Sequence, residues 1–456
     1  MATQAQQETQ YRELTTTPVI RSGTWNTTRR TLQPLITEGT HAITRRLTGK
    51  NRRPDRAGSL IKPDVSAVPN FGGASTTPGV APGTLINVAP LRVLGTRSEL
   101  NPASSHRFEY VTRDPNGRAI TATAGVCFSQ TSAPGHRPGA PRPVVAFAPS
   151  TQGVAAHCDP SHTCAIGLSV FTDAPRDAIA AYELPVLNWF LANGVDVVFI
   201  DYPRDPLTGL QYYCDSITAA KSLYDALRAA HHLGISPEAP LGLWGFSQGG
   251  GAIGWAAQLT DYAPEIHPRA AVVGAPTSDL PAILRAVDGG LITGVIAYAV
   301  AGLATTRPEL YDEILPTLNS HGLTEILRNI STCAGGTLLT SGYESTSSWT
   351  TTGQPLGAIL NNLPAVLREF NRQKLGVTAP DIPVLLWGST NDDVIPINQV
   401  RELRDAWTNL GADITWHEHP LPRVPGKTAL NHFGPYFHNL STHSGWLWDQ
   451  LHSNQS

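Results

Sequence analysis

An α/β fold built on a mostly parallel central sheet is what the 456-residue chain predicts, on three observations. Short apolar, β-branched runs recur: Val144-Val145-Ala146-Phe147, Val195-Asp196-Val197-Val198-Phe199-Ile200, Leu241-Gly242-Leu243-Trp244, Ala271-Val272-Val273 and Val384-Leu385-Leu386-Trp387. Helix-period patterns fill the intervals between them, the mark of parallel strands joined by crossovers. A turn signal, Asp114-Pro115-Asn116-Gly117, joins residues 107–112 to 120–124 as a hairpin at one edge.

Taken in order, the chain opens with a segment unlike the rest. Up to about residue 63 it is polar and basic, with Arg29, Arg30, Arg45, Arg46, Lys50, Arg52 and Arg53 and few aromatics. Such a segment buries too little apolar surface to offset its ordering entropy, so residues 1–80 are expected to be a mostly disordered arm and linker. Leu32, Leu35, Ile36, Ile43 and Leu47 fall roughly on one helical face ringed by arginines. Such a piece lies on an anionic membrane or lipid surface, docks on the main domain, or, the reading preferred here, stays a solvated, partly helical arm. No apolar stretch follows the first charges as a secretory signal requires, which points to the cytoplasm.

From residue 81 onward the pattern is regular. With 41% hydrophobic and 15% charged residues, the length suits one large α/β domain with insertions, or two domains. A net charge of −3 without a basic stripe gives nucleic-acid binding no support. The weakly polar stretch 291–304 is shorter than the roughly 18 apolar residues of a membrane span. A helix is expected over about 212–232, running up to the strand that ends at Trp244.

That strand carries the most informative motif. Gly245-Phe246-Ser247-Gln248-Gly249 lies between it and the small-residue stretch Gly250-Gly251-Ala252-Ile253-Gly254. A serine on such a strand-to-helix elbow projects its hydroxyl above the sheet, with the N–H of Gln248 aimed at a developing oxyanion. The sheet is therefore hydrolase-like, an α/β-hydrolase fold. About 110 residues separate Val273 from Val384, where an ordinary crossover needs a dozen or more. We read residues 276–380 as a helical cap inserted into a core of 81–275 and 381–452, with helices near 280–303, 308–329 and 364–375. Leu291, Ile292, Val295, Ile296 and Val300 either line an acyl pocket or pack the cap onto the core.

A serine nucleophile needs a histidine base, and the base an orienting carboxylate. In this fold both follow the serine along the chain. Asp392 enters a turn after the Val384 run, with Asp393 as the alternative. His417 and His419 alternate in a strand-like segment, whereas His432 sits in a loop before a terminal helix; His438 and His443, inside that helix, are the fallback. The cluster His157, Cys158, His162 and Cys164 does not match zinc-ligand spacing, and neither a metal nor a cofactor is expected.

At this point the chain resembles the secretory lipases of fungi and actinobacteria, the lipase-A-like branch of the α/β-hydrolases. The resemblance covers about residues 82–451. It rests on Pro82-Gly83-Thr84-Leu85, Ser150-Thr151-Gln152-Gly153, Cys158-Asp159-Pro160-Ser161, Asp201-Tyr202, the serine motif with Gly250, Gly274-Ala275-Pro276 and Asp392-Asp393-Val394-Ile395-Pro396. It implies a serine carboxylester hydrolase with a capped acyl tunnel, acting on a small-molecule or lipid ester through Ser247, Asp392 and His432. It also implies a second oxyanion N–H near Gln152 and Gly153, a Cys158 to Cys333 disulfide, and an extracellular setting. An acyltransferase with the same triad, or a hydrolase-fold protein that binds without catalysis, remains the alternative.

Overall fold

In the structure, a computed structural model, residues 70–96, 101–132, 139–171 and 176–453 are described. The expected basic arm therefore lies, up to residue 69, outside the described residues. Nine strands form one sheet in the order β1 (Leu85–Pro90), β2 (Ala103–Arg113), β3 (Ala119–Ser129), β7 (Asp196–Ile200), β4 (Val144–Ala148), β8 (Leu241–Phe246), β9 (Pro268–Gly274), β10 (Val384–Ser389) and β11 (Ile414–His419). The first four are antiparallel neighbours and the rest pair in parallel. Every residue of β4, β7, β8 and β10 is buried. Helices cover both faces there, which is why these strands read as unbroken apolar runs.

Two features were not read from the sequence. Strand β1 is a mostly exposed edge with Ile86 and Val88 open to solvent. Strands β5 (Leu168–Phe171) and β6 (Asp177–Ala180) pair as a separate two-stranded sheet.

The sharpest constraint lies where β8 meets the helix Gln248–Gln258. A Cβ on Gly245 would stand 2.2 Å from the carbonyl of Gly249, one on Gly249 1.9 Å from the carbonyl of Ala148, and one on Gly250 2.3 Å from the carbonyl of Gly274. No side chain fits, so the helix crosses directly over the ends of β4 and β9.

Between β9 and β10 the chain runs through a series of helices, shorter than the periodicity suggested. The 280–303 pattern divides into Leu280–Val287 and Val295–Thr306, because Asp288, Gly289 with φ +70° and Gly290 form a turn. The 308–329 pattern divides likewise, into Pro308–Ile314 and Ser320–Ile330, with Pro316 inside the short turn between them. Helix Pro364–Gln373 stands where expected. No helix among the described residues is long and apolar enough to cross a membrane.

The crossing yields a direct test. Gly249→Ala is expected to destabilise by more than about 4 kcal/mol or to leave no folded protein, since the clash is with backbone. Gly445→Ala, in the terminal helix with nothing within 4 Å of its added methyl, should instead stabilise by roughly 0.5–1 kcal/mol. Chemical denaturation of the two variants beside the parent measures both.

Candidate active site

Ser247 is the residue between strand and helix, with φ 58° and ψ −116°. Its N–H donates to the Gly274 carbonyl at 2.9 Å. Tyr202 (φ 64°) and Ala275 (φ 36°) also hold positive φ. The three follow β7, β8 and β9, so backbone strain gathers along one edge of the sheet, a pattern typical of functional sites.

Asp392 and His432 meet there. His432 Nδ1 lies 2.8 Å from Asp392 Oδ2, and both side chains are 1% exposed. The other carboxylate oxygen of Asp392 accepts from the N–H groups of Val394 and Ile395, at 2.9 and 2.8 Å. Asp393 takes a different part. Its Oδ2 accepts from Ala429 N and Asn431 Nδ2, both at 3.0 Å, and so fixes the entry to the helix Leu430–His452. His432 therefore sits in the first turn of that helix rather than in a loop before it. The left-handed Ala429, φ 62°, caps the helix, so residues 430–433, expected in the loop, form its first turn.

The far nitrogen of His432, Nε2, is buried and has no hydrogen-bond partner. Its ring stacks on Phe246, the neighbour of Ser247, with centroids 4.5 Å apart. Phe246 also stacks on Tyr436, at 4.4 Å, and on Trp387, at 5.4 Å. An imidazole nitrogen without a hydrogen-bond partner thus stands beside the serine's own turn. His438 is exposed. His443 pairs with His419 at 3.0 Å and makes no bond to Asp392.

Facing the serine is the loop from Pro149 to Gly153, held along its backbone. Tyr202 and Tyr182 donate their hydroxyls to the carbonyls of Pro149 and Thr151. Ala334, in the insertion, donates its N–H to the Gln152 carbonyl at 2.8 Å. Gly153, φ +133°, bridges to Cys333, and the disulfide Cys158–Cys333 closes beside it. The Gln152 side chain is buried with its Nε2 unpartnered. Gln248, at the start of its helix, locks its side chain between Thr151 Oγ1 (3.2 Å) and Gln211 Oε1 (3.0 Å). Its backbone N–H is among the helix-opening donors without an intrahelical acceptor.

Charge supports the loop from below. Asp201, after β7, accepts from Ser161 N, Ser161 Oγ and Thr123 Oγ1 at 2.8, 2.7 and 2.7 Å. Burial alone would raise its carboxyl, but Arg107 and these donors hold it below the ordinary value. Asp159 pairs with Arg204 and Arg107 in the same cluster. Glu183 was not singled out from the sequence. Its Oε1 accepts from Ser150 N at 2.5 Å and its Oε2 from Tyr436 OH at 2.6 Å, tying the loop to the helix of His432. Burial pushes it up to about 7, against both hydrogen bonds.

Of the residues expected to line an acyl pocket, Ile296 and Val300 are buried in the helix Val295–Thr306, while Leu291, Ile292 and Val295 are half-buried. That helix packs Gly302 against the backbone of Tyr213, and its Tyr298 ring lies 5.8 Å from the Tyr213 ring. The Tyr213 hydroxyl bonds Thr151 Oγ1 at 2.8 Å. A cleft of about 350 Å³ opens elsewhere, lined by Asp392, Asp393, Arg423, Lys427 and Asn431 among others.

A family model described as secretory lipase matches residues 176–456. A probable inactive lipase of Mycobacterium tuberculosis is 28% identical over 344 residues, covering 74% of this chain and 73% of its own length. Lipase A of Arthroderma benhamiae is 26% identical over 235 residues, 51% of this chain and 50% of its own. Lipase 1 of Candida albicans is 29% identical over 270 residues, 56% and 55% respectively. The chain thus matches about half the length of the two fungal relatives. Among solved structures, Candida antarctica lipase A superposes with a TM-score of 0.68 at 20% identity, covering 82% of this chain and 84% of that one. An esterase from Xanthomonas oryzae that degrades rice cell walls gives 0.64 at 19%, over 82% and 100%. At that identity the likeness is one of fold, the α/β-hydrolase fold.

Glu183 yields a prediction. A carboxyl whose folded pKa exceeds its unfolded one binds more protons folded, so its share of stability is complete below pH 4.5 and declines as pH rises to about 7. Glu183→Gln, which keeps an acceptor for Ser150, is expected to fold and to lose that slope. Glu183→Ala leaves two buried donors unpartnered and should cost about 1–3 kcal/mol for each. Urea unfolding of the three proteins at pH 4.5 and pH 7.5 checks both outcomes.

Proposed function

The chain belongs to the secretory lipase family of carboxylester hydrolases, and we propose that it cleaves acyl esters through Ser247, His432 and Asp392 by way of an acyl-enzyme. The observation that carries this reading is the 2.8 Å contact of His432 Nδ1 with Asp392, which leaves Nε2 without a partner beside the serine's turn. Held by Asp392, the imidazole keeps its lone pair on Nε2. It takes the Ser247 proton as the hydroxyl attacks the ester carbonyl and returns it to the departing alcohol. Water then enters, gives a proton to the same nitrogen, and releases the acid.

Negative charge on the tetrahedral oxygen falls to the N–H of Gln248 and to the Gln152–Gly153 segment. The unpartnered amide of Gln152 supports a donor there beyond the backbone. Each such donor is worth roughly 3–4 kcal/mol of transition-state stabilisation when correctly aimed.

Residues 276–380 we assign as the cap over this edge, with Leu291, Ile292, Val295, Ile296 and Val300 along an acyl channel. The reading is supported by the packing of their helix on Tyr213, whose hydroxyl holds Thr151 of the oxyanion loop. The substrate is then a small-molecule or lipid ester, met at a lipid surface. The relative named a probable inactive lipase favours a second reading, a hydrolase-fold protein that binds such a molecule without cleaving it.

Ser247→Ala is expected to lower the turnover of p-nitrophenyl esters by ~10⁶-fold without unfolding the protein. His432→Ala should match it, while His438→Ala retains most activity. A parent protein as inert as Ser247→Ala would establish the binding reading instead, and faster acyl release with added alcohol would mark an acyltransferase. For the channel, Ile296→Trp should shorten the preferred acyl chain yet spare acetyl and butyryl esters, each excluded methylene removing up to about 0.8 kcal/mol. A lower melting temperature with an unshifted chain-length profile would mean the side chain only packs cap on core.

A further inference from the structure

Strand β11 is the last of the sheet and, among the described residues, pairs only with β10. His417 and His419 stand two residues apart on it and so share a face. Across that face the terminal helix brings His443. His419 Nε2 lies 3.0 Å from His443 Nε2, and one ring nitrogen from each of the three imidazoles falls within 4.8 Å of the others. The ring centroids are 5.0, 5.7 and 6.2 Å apart. A tetrahedral zinc with bonds of about 2.0–2.1 Å spaces its ligand nitrogens by about 3.3 Å. The separations are of that order.

We propose that His417, His419 and His443 form a binding site for a divalent transition metal of the zinc type, three imidazoles holding it with water in the remaining position. Imidazole donors without a carboxylate favour zinc, nickel, copper or cobalt over calcium or magnesium. Glu418, between the two strand histidines, is engaged by Arg401 and by Thr390 at 3.0 Å, so it supplies no ligand. Fully buried Trp387 stacks on His443 at 4.8 Å and meets His419 edge-on at 5.7 Å, so both rings are oriented before any metal arrives. The His419 carbonyl is fixed as well, accepting from Thr390 N at 3.1 Å.

Other groupings of possible ligands among the described residues do not compete. In that of His157, Asp177, Cys158 and Cys333, the two sulfurs are joined to each other. That of His321, Glu325 and Glu344 is a surface ion pair with a neighbouring carboxylate already committed to Arg328 and Ser341. A metal at the histidine site would pin the edge strand to the helix whose first turn holds His432.

The experiment uses the full chain, stripped by chelation and titrated with Co(II), read by its visible ligand-field bands, and with Zn(II), read by calorimetry and melting temperature. One equivalent should bind, with tetrahedral-type Co(II) absorption and a melting temperature that climbs with zinc concentration. His417→Ala and His419→Ala, both at half-buried strand positions, should weaken binding 10- to 100-fold or more and abolish the zinc-dependent rise. His443→Ala is the less secure variant to fold, and the strand variants suffice without it. Absence of saturable binding, or binding unchanged in both strand variants, would overturn the proposal and leave a histidine pair joined by an N–H···N hydrogen bond.

Discussion

The crossing of β8 under the helix Gln248–Gln258 sets the position of nearly everything else. With Gly249 against the carbonyl of Ala148 and Gly250 against that of Gly274, the elbow is wedged between the ends of β4 and β9. The residue after Ala148 begins the loop 149–153, and the residue after Gly274 begins the helical stretch that leads to β10. A single close approach of backbones thus decides where Ser247, that loop and the helical insertion start. The left-handed dihedrals of Ser247 follow from the same lack of room, and its N–H bond to Gly274 holds them.

A second layer of order is polar and buried, and its cost shows in the groups it perturbs. Asp159, Asp196 and Glu183 are each raised to about 7, chiefly by burial. Buried carboxylates add little net stability over an apolar interior, but deleting one partner is expensive. What they supply here is geometry. Asp201 joins β3 to the segment at Ser161, Asp393 sets the entry of the terminal helix, and Glu183 connects that helix to Ser150.

The strands at the middle of the sheet were legible because burial on both faces removes alternation and leaves plain apolar runs. Ser247 was legible because the elbow admits only glycine around it, a local constraint. Choosing Asp392 over Asp393 was less so: the two are adjacent and both turn residues, and only the fold shows one facing His432 and the other bonding Ala429. The exposed β1 lacks the apolar contrast of a buried strand. Glu183 left no signal, since its partners Ser150 and Tyr436 lie 33 and 253 positions away. The break at Asp288-Gly289-Gly290 was visible as a glycine pair, yet the apolar spacing on either side masked it. His417 and His419 were placed on a strand, but their third companion comes 24 residues later from a helix.

The disulfide between Cys158 and Cys333 spans 175 positions of chain and lands beside Gly153, while Ala334 bonds the carbonyl of Gln152. The clamp is one of several: Gln373 accepts from Ser216 N and Trp255 Nε1, both at 3.0 Å, and Arg372 pairs with Asp215 at 2.8 Å. Reduction of the disulfide would therefore release only its own junction, loosening the loop at Gln152 while the far end of the insertion stays seated on the helix that begins at Ser216.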